Sequence, residues 1–148
     1  MSSRINIKNK KARFEFEFIE TYTTGIVLTG TEIKSIRASK ASIAESYGVM
    51  INSEIIIRNM YVQEYENGTN YNHETRRDRK LLLNRTELNK IERKIKSKGL
   101  TIVPVQLYIN KKGLAKLKIA IAKGKKVHDK REDLKLKDAK REMDRKMK

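Results

Sequence analysis

Hydrophobic and polar residues alternate with a period of two in several stretches of this chain, and each stretch predicts a half-buried strand. Arg13 to Ile19 reads RFEFEFI, with Phe14, Phe16 and Phe18 on one side and Glu15 and Glu17 on the other. A short apolar run, Ile26 to Leu28, predicts a second strand closed by Gly30. Tyr47 to Ile51 and Glu54 to Arg58 flank Asn52-Ser53 as the arms of a hairpin, and Met60 to Val62 continues the meander. The polar stretch Glu66 to Arg79 predicts an exposed loop, after which Leu81 to Leu83 returns to the core. Leu100 to Ile109 predicts a long strand with an edge or bulge at Pro104, which has no N–H for a ladder. After the turn Asn110 to Gly113, Ala115, Leu117, Ile119 and Ile121 point one way while Lys116 and Lys118 point the other, giving a basic outer face.

Two segments carry helical spacing instead. Between Gly30 and Ser39, Thr31 is in place as an N-cap and Ile33 and Ile36 lie three apart. From Thr86 to Lys98, Leu88, Ile91 and Ile95 form a narrow apolar stripe, Asn84 and Glu87 have capping-box spacing, and Gly99 stands where a C-cap belongs. About six strands joined by short turns favour antiparallel pairing. The expected fold is mainly β: a small OB-like barrel with two or three flanking helices.

The last 25 residues, Gly124 to Lys148, break the pattern. Their large apolar side chains, Val127, Leu134, Leu136, Met143 and Met147, are scattered among charges and cannot build a core. The division expected is therefore a barrel over residues 1–123 and a basic tail over 124–148, disordered when free and ordered by a polyanionic partner. Net charge strengthens that reading. A formal +17 in 148 residues attracts phosphate backbones by counterion release and makes nucleic acid the leading partner class. No run of apolar residues is long enough to span a membrane, and the tail is too poor in apolar residues for a strong interfacial face.

Composition also narrows the chemistry. Without cysteine there is no disulfide, thiolate metal site or thiol nucleophile. Asp78 is the single aspartate before the tail, so the clustered carboxylates that hold a nuclease's metal are missing, and the dispersed glycines form no phosphate loop. Neither His73 nor His128 has a carboxylate orienter that the sequence establishes. No metal, cofactor or catalytic residue is assigned, and the short polar N-terminus has no secretory h-region, which points to the cytoplasm. Basic residues cluster at Lys8, Lys10, Lys11 and Arg13, at Arg76, Arg77, Arg79 and Lys80, and at Lys123, Lys125 and Lys126. Two kinds of RNA-binding protein have such a distribution: a non-enzymatic adaptor, the leading reading, and, as the alternative, a structural ribosomal protein whose tail threads through ribosomal RNA.

An ordered set of short motifs separates the two. Asn9-Lys10-Lys11-Ala12, GIVLTGTEIKSIR from Gly25 to Arg37, Arg79-Lys80-Leu81-Leu82-Leu83, and AKGKK from Ala122 followed by His128-Asp129-Lys130-Arg131 stand in one order and spacing. With these motifs the chain resembles the small protein B family, the SsrA-binding partners of transfer-messenger RNA. The resemblance implies an adaptor and not an enzyme: the barrel binds the tRNA-like domain of transfer-messenger RNA and delivers it to stalled ribosomes for trans-translation. It also implies partnership with the small-subunit RNA and decoding centre and with an elongation factor Tu complex. Taken from the basic clusters and these motifs together, the RNA-binding candidates are Asn9, Lys10, Lys11, Arg13, Glu32, Lys34, Arg76, Arg79, Lys80, Lys123, Lys125 and Lys126. In the tail, His128, Asp129, Lys130 and Arg131 match a decoding-centre motif, and Lys135, Lys137, Lys140, Arg141 and Arg145 would line ribosomal RNA as the tail turns helical in the message channel. Thr23 stands where family members often carry an acidic residue implicated in RNA contact.

Overall fold

A computed structural model describes residues 5–66 and 72–124 of the chain. Its elements run β1 (Asn6–Lys8), α1 (Lys10–Glu15), β2 (Phe16–Ile26), α2 (Gly30–Arg37), β3 (Ala41–Ser42), β4 (Tyr47–Ile51), β5 (Glu54–Arg58), β6 (Tyr61–Val62), β7 (Arg79–Leu82), α3 (Arg85–Lys98), β8 (Thr101–Ile109) and β9 (Ala115–Gly124). Strands β8, β4, β5, β7, β2 and β9 pair antiparallel in that order, and β8 pairs with β9 to close the ring. β1 adds to β8 from outside. The expected mainly β barrel with flanking helices is therefore present.

Alternation along the strands decides what fills the ring. Ile55 and Ile57 from β5, Leu81 from β7, Leu107 from β8 and Leu117, Ile119 and Ile121 from β9 point inward and are buried. Leu88 and Ile91 of α3 and Ile36 of α2 join the same cluster. The α3 limits follow its caps: Asn84 and Glu87 form the reciprocal capping box and Gly99 takes a left-handed conformation at φ +60°. β4 needs Gly48, because a Cβ there would lie 2.6 Å from Ile102 Cγ2 and 2.8 Å from Ile102 Cβ. Ile102 is buried and β-branched, so Gly48→Ala is expected to lower the urea-unfolding free energy by about 1–3 kcal/mol.

Several sequence expectations are corrected. RFEFEFI is not one strand: Arg13 to Glu15 end α1, and β2 begins at Phe16 and continues through Ile26, absorbing the start of the second predicted strand. A bulge between Phe18 and Glu20 adds one residue and reverses which side chains face outward. Phe16 and Phe18 therefore pack outside the ring, with Ala12, Val103, Val105, Ala120 and Ala122 beneath α1, and Tyr22 faces the core. On β9 the outward residues change from Lys116 and Lys118 to Ala120 and Ala122 where α1 covers them. The α2 cap is Thr29 and not Thr31, since Thr29 forms the capping box with Glu32. β6 leaves the meander to pair with β3. In the predicted exposed loop, His73 is buried: its Nε2 donates to the Val62 carbonyl at 2.9 Å, and Nδ1 lies 2.9 Å from Thr31 Oγ1. The bulge expected at Pro104 is found between Pro104 and Gln106.

Candidate nucleic-acid interface

Strand register builds a continuous outward face across five strands. In antiparallel pairs, directly opposed residues share a side, and Leu117 between Lys116 and Lys118 is buried, so both lysines face out. One row runs Asn6, Tyr108, Lys116, Gly25, Leu82 across β1, β8, β9, β2 and β7. The row beside it runs Lys8, Gln106, Lys118, Thr23. Neither row contains a carboxylate, so the face presents an uncompensated positive field with an aromatic ring within it.

Each end of this face is concave. At one end, a hollow of about 370 Å³ is lined by Leu28, Ile33, Arg37, Leu82, Leu114 and Lys116, among others. Leu82 is 52% and Leu114 55% exposed, an apolar floor rimmed by two cations. Gly25 keeps the floor close, because a Cβ there would stand 3.2 Å from Leu82 Cβ. At the other end, a smaller cleft of about 220 Å³ lies between α1, β1 and β8. Such a surface can hold a phosphate backbone along the lysines and unpaired bases on apolar and aromatic side chains.

The RNA-binding candidates from the sequence divide into groups. Lys10 and Arg13 are exposed on α1. Lys11 is exposed but engaged by Glu45 at 3.1 Å and Glu15 at 3.9 Å, and the hydrogen bond to Glu45 raises its pKa. Lys123 is exposed at the end of β9, and Lys80 stands on β7, 4.0 Å from Glu54. Lys34 lies over the Tyr65 ring and Arg76 over the Tyr61 ring, each 5.3 Å from the centroid, on the β6 side of the molecule. Lys125, Lys126 and the tail candidates from His128 to Arg145 lie outside the described residues.

Three candidates do something other than touch RNA. Asn9 is buried, accepts from Ala12 N–H as the α1 cap, and donates its amide to the carbonyls of Pro104 at 2.9 Å and Ile43 at 3.3 Å. Glu32 and Arg79 are both fully buried and joined at 2.5 Å. Their charges are consumed by each other, and neither side chain reaches a phosphate. Conversely, Tyr108, Gln106, Leu82, Leu114 and Arg37 join the face although none was among the RNA-binding candidates, Leu82 and Arg37 having been named only within the family motifs. The pattern was present for two of them: Gln106 and Tyr108 alternate with Leu107 and Ile109 as Lys116 and Lys118 do with Leu117 and Ile119.

Among the described residues, no group of three or more histidine or carboxylate side chains is placed to hold a metal ion, and no helix is long and apolar enough to cross a membrane.

Comparison with known proteins bears on this face. A family model described as SmpB protein matches residues 6–148. The SsrA-binding protein of Phocaeicola vulgatus is 61% identical over 141 residues, spanning 95% of this chain and 94% of that protein. That of Christiangramia forsetii is 54% identical over 145 residues, spanning 98% and 92%. The fold is also similar to a chain in a solved structure described as tmRNA-SmpB on a journey to the center of the bacterial ribosome, with TM-score 0.69, 41% identity, and coverage of 83% of this chain and 86% of that one.

Proposed function

The chain belongs to the SmpB protein family, and from that membership we propose that it binds transfer-messenger RNA and delivers it to stalled ribosomes for trans-translation. The observation that carries the reading is the carboxylate-free outward face of β1, β8, β9, β2 and β7. Lys116 and Lys118 contact the phosphate backbone of the tRNA-like domain, and the Leu82 and Leu114 hollow takes bases that leave the stack in its loops. The protein acts as an adaptor without chemistry of its own, and bond making is left to the ribosome. Working there, it acts in the cytoplasm, with elongation factor Tu in the delivery complex as the family resemblance implies. His128 to Arg131 and the basic residues beyond enter the decoding centre and message channel.

A salt titration tests the barrel's part. Lys116→Ala with Lys118→Ala removes two phosphate contacts, and the log-log slope of affinity for the tRNA-like RNA against salt is expected to fall by about 1.4–1.8. An unchanged slope would remove the strand face from the interface.

A further inference from the structure

We infer that the outer face of the β4–β5 hairpin is a docking surface for the chain's own tail, which lies on it as a helix from Leu136 to Met147 while no RNA is bound. This replaces the expectation of a free tail without order. It concerns the protein before it meets RNA, and its test needs neither the ribosome nor transfer-messenger RNA.

Strand alternation makes the face. Gly48, Ile55 and Ile57 point into the ring, so Tyr47, Val49, Ile51, Glu54, Ile56 and Arg58 point out. Val49 stands opposite Ile56 at the centre, with Tyr47 opposite Arg58 at one end and Ile51 opposite Glu54 at the other. Tyr47 is 44% and Ile51 37% exposed, so the patch is open apolar surface. The charges at its edges are already matched: Arg58 is 3.5 Å from Asp78, and Glu54 is 3.2 Å from Arg85 and 4.0 Å from Lys80. Neither β4 nor β5 belongs to the carboxylate-free strand face. A patch whose cations are met by carboxylates has little to offer a phosphate backbone; its remaining chemistry is apolar area, which suits protein.

Position and length select the occupant. Ile121 stands opposite Ile102, and Ile102 opposite Gly48. Gly124, three residues beyond Ile121, therefore leaves β9 level with Ile51 and two strand spacings, about 10 Å, from it. Lys125 to Lys135 spans up to about 36 Å when extended, more than the crossing needs. Beyond it, Leu136, Ala139, Met143 and Met147 follow at spacings of 3, 4 and 4, one narrow apolar stripe on a helix. The helix from Leu136 to Met147 would be about 18 Å long and β4 and β5 are each about 17 Å, so stripe and face match in length. Methionine side chains adapt to an uneven apolar surface, and a stripe this narrow makes a reversible contact. Arg141 and Arg145 fall on the side of the helix away from Leu136, so the docked tail still shows cations to a polyanion that draws it off the hairpin.

The chain contains no cysteine, so a pair of substitutions allows one disulfide within the molecule. In the full-length protein at low micromolar concentration, Ile51→Cys with Ala139→Cys is expected to close that disulfide about 10-fold faster under mild oxidation than Thr23→Cys with Ala139→Cys, whose first site is on the strand face. Circular dichroism confirms the fold of each variant. Equal rates would mean that the tail visits both faces alike and would overturn the inference. A disulfide formed only between molecules would place the tail on a second copy and overturn it as well. Adding Leu136→Asp and Met143→Asp breaks the stripe and should bring the Ile51→Cys rate down to the Thr23→Cys rate; an undiminished rate would mean the stripe does not hold the tail. Excess short single-stranded RNA should slow the reaction in the same way, and a rate insensitive to it would refute the exchange between hairpin and RNA.

Discussion

Glu32→Ala is expected to lower the free energy of unfolding by about 3–5 kcal/mol, a third or more of the roughly 5–15 kcal/mol that holds a domain folded. The size follows from what the side chain holds together. Glu32 has no exposed surface, accepts from Arg79 Nε at 2.5 Å and Arg77 Nη2 at 2.7 Å, and takes the Thr29 backbone N–H at 2.8 Å. Arg79 in turn donates to the carbonyls of Met60 at 2.7 Å, Arg77 at 3.0 Å and Thr75 at 3.3 Å. Removing the carboxylate leaves a buried guanidinium with no counter-charge, and it also unmakes the α2 capping box. Urea unfolding at pH 7 measures the loss. A residual loss is expected even in the double variant Glu32→Leu with Arg79→Met, because three carbonyls lose their donor.

The pH dependence has a definite sign. Burial pushes the Glu32 carboxyl upward, but the hydrogen bonds from Arg77 and Thr29 and the charge of Arg79 together hold it below its ordinary 4.5. A carboxyl depressed in the folded state contributes its stability above the unfolded pKa and loses it as pH falls through the folded value. The stability gap between wild type and Glu32→Gln should therefore be full at pH 7 and shrink on acidification below about pH 4.5. A gap that stays constant down to pH 3 would mean the ion pair contributes nothing.

This ion pair also marks where sequence reasoning stopped. The α3 boundaries and the two faces at Lys116 to Ile119 were legible because caps and period-two alternation are local signals. Glu32 and Arg79 stand 47 residues apart, and nothing local distinguishes a charge that will be paired in the interior from one that will meet RNA. Both were therefore counted as RNA contacts. The Phe14 to Phe18 alternation misled for a different reason: a bulge one residue beyond it reverses the face, and α1 supplies a second, external apolar layer. Asn9 was found by its motif but with the wrong role, since its amide ties α1 to β8 and to Ile43. The family assignment needed none of this geometry. The strand face needed the register between β8 and β9, which brings Gln106 and Tyr108 level with Lys118 and Lys116.

Deleting residues 127–148 is expected to leave barrel folding and affinity for the tRNA-like RNA nearly intact while abolishing tagging of stalled products. The core argument comes first: every buried side chain described lies at or before Ala122, and β9 completes its pairing with β2 at Gly124 opposite Phe16. Charge leads to the same result. The deleted segment holds 9 of the 35 basic and 6 of the 18 acidic residues, so the net charge falls only from +17 to +14. The truncated protein keeps Lys8, Lys116 and Lys118 of the strand face, so its phosphate contacts, and hence its salt dependence, are expected to stay in place. The deleted residues include His128 to Arg131 and all the proposed channel-lining cations, so nothing remains to occupy an empty decoding centre. Filter binding to the tRNA-like RNA and a tagging assay on ribosomes stalled at a message end read the two consequences separately. If the truncated protein loses RNA affinity by orders of magnitude, the tail belongs to the primary site; if tagging survives, the barrel alone carries the delivery.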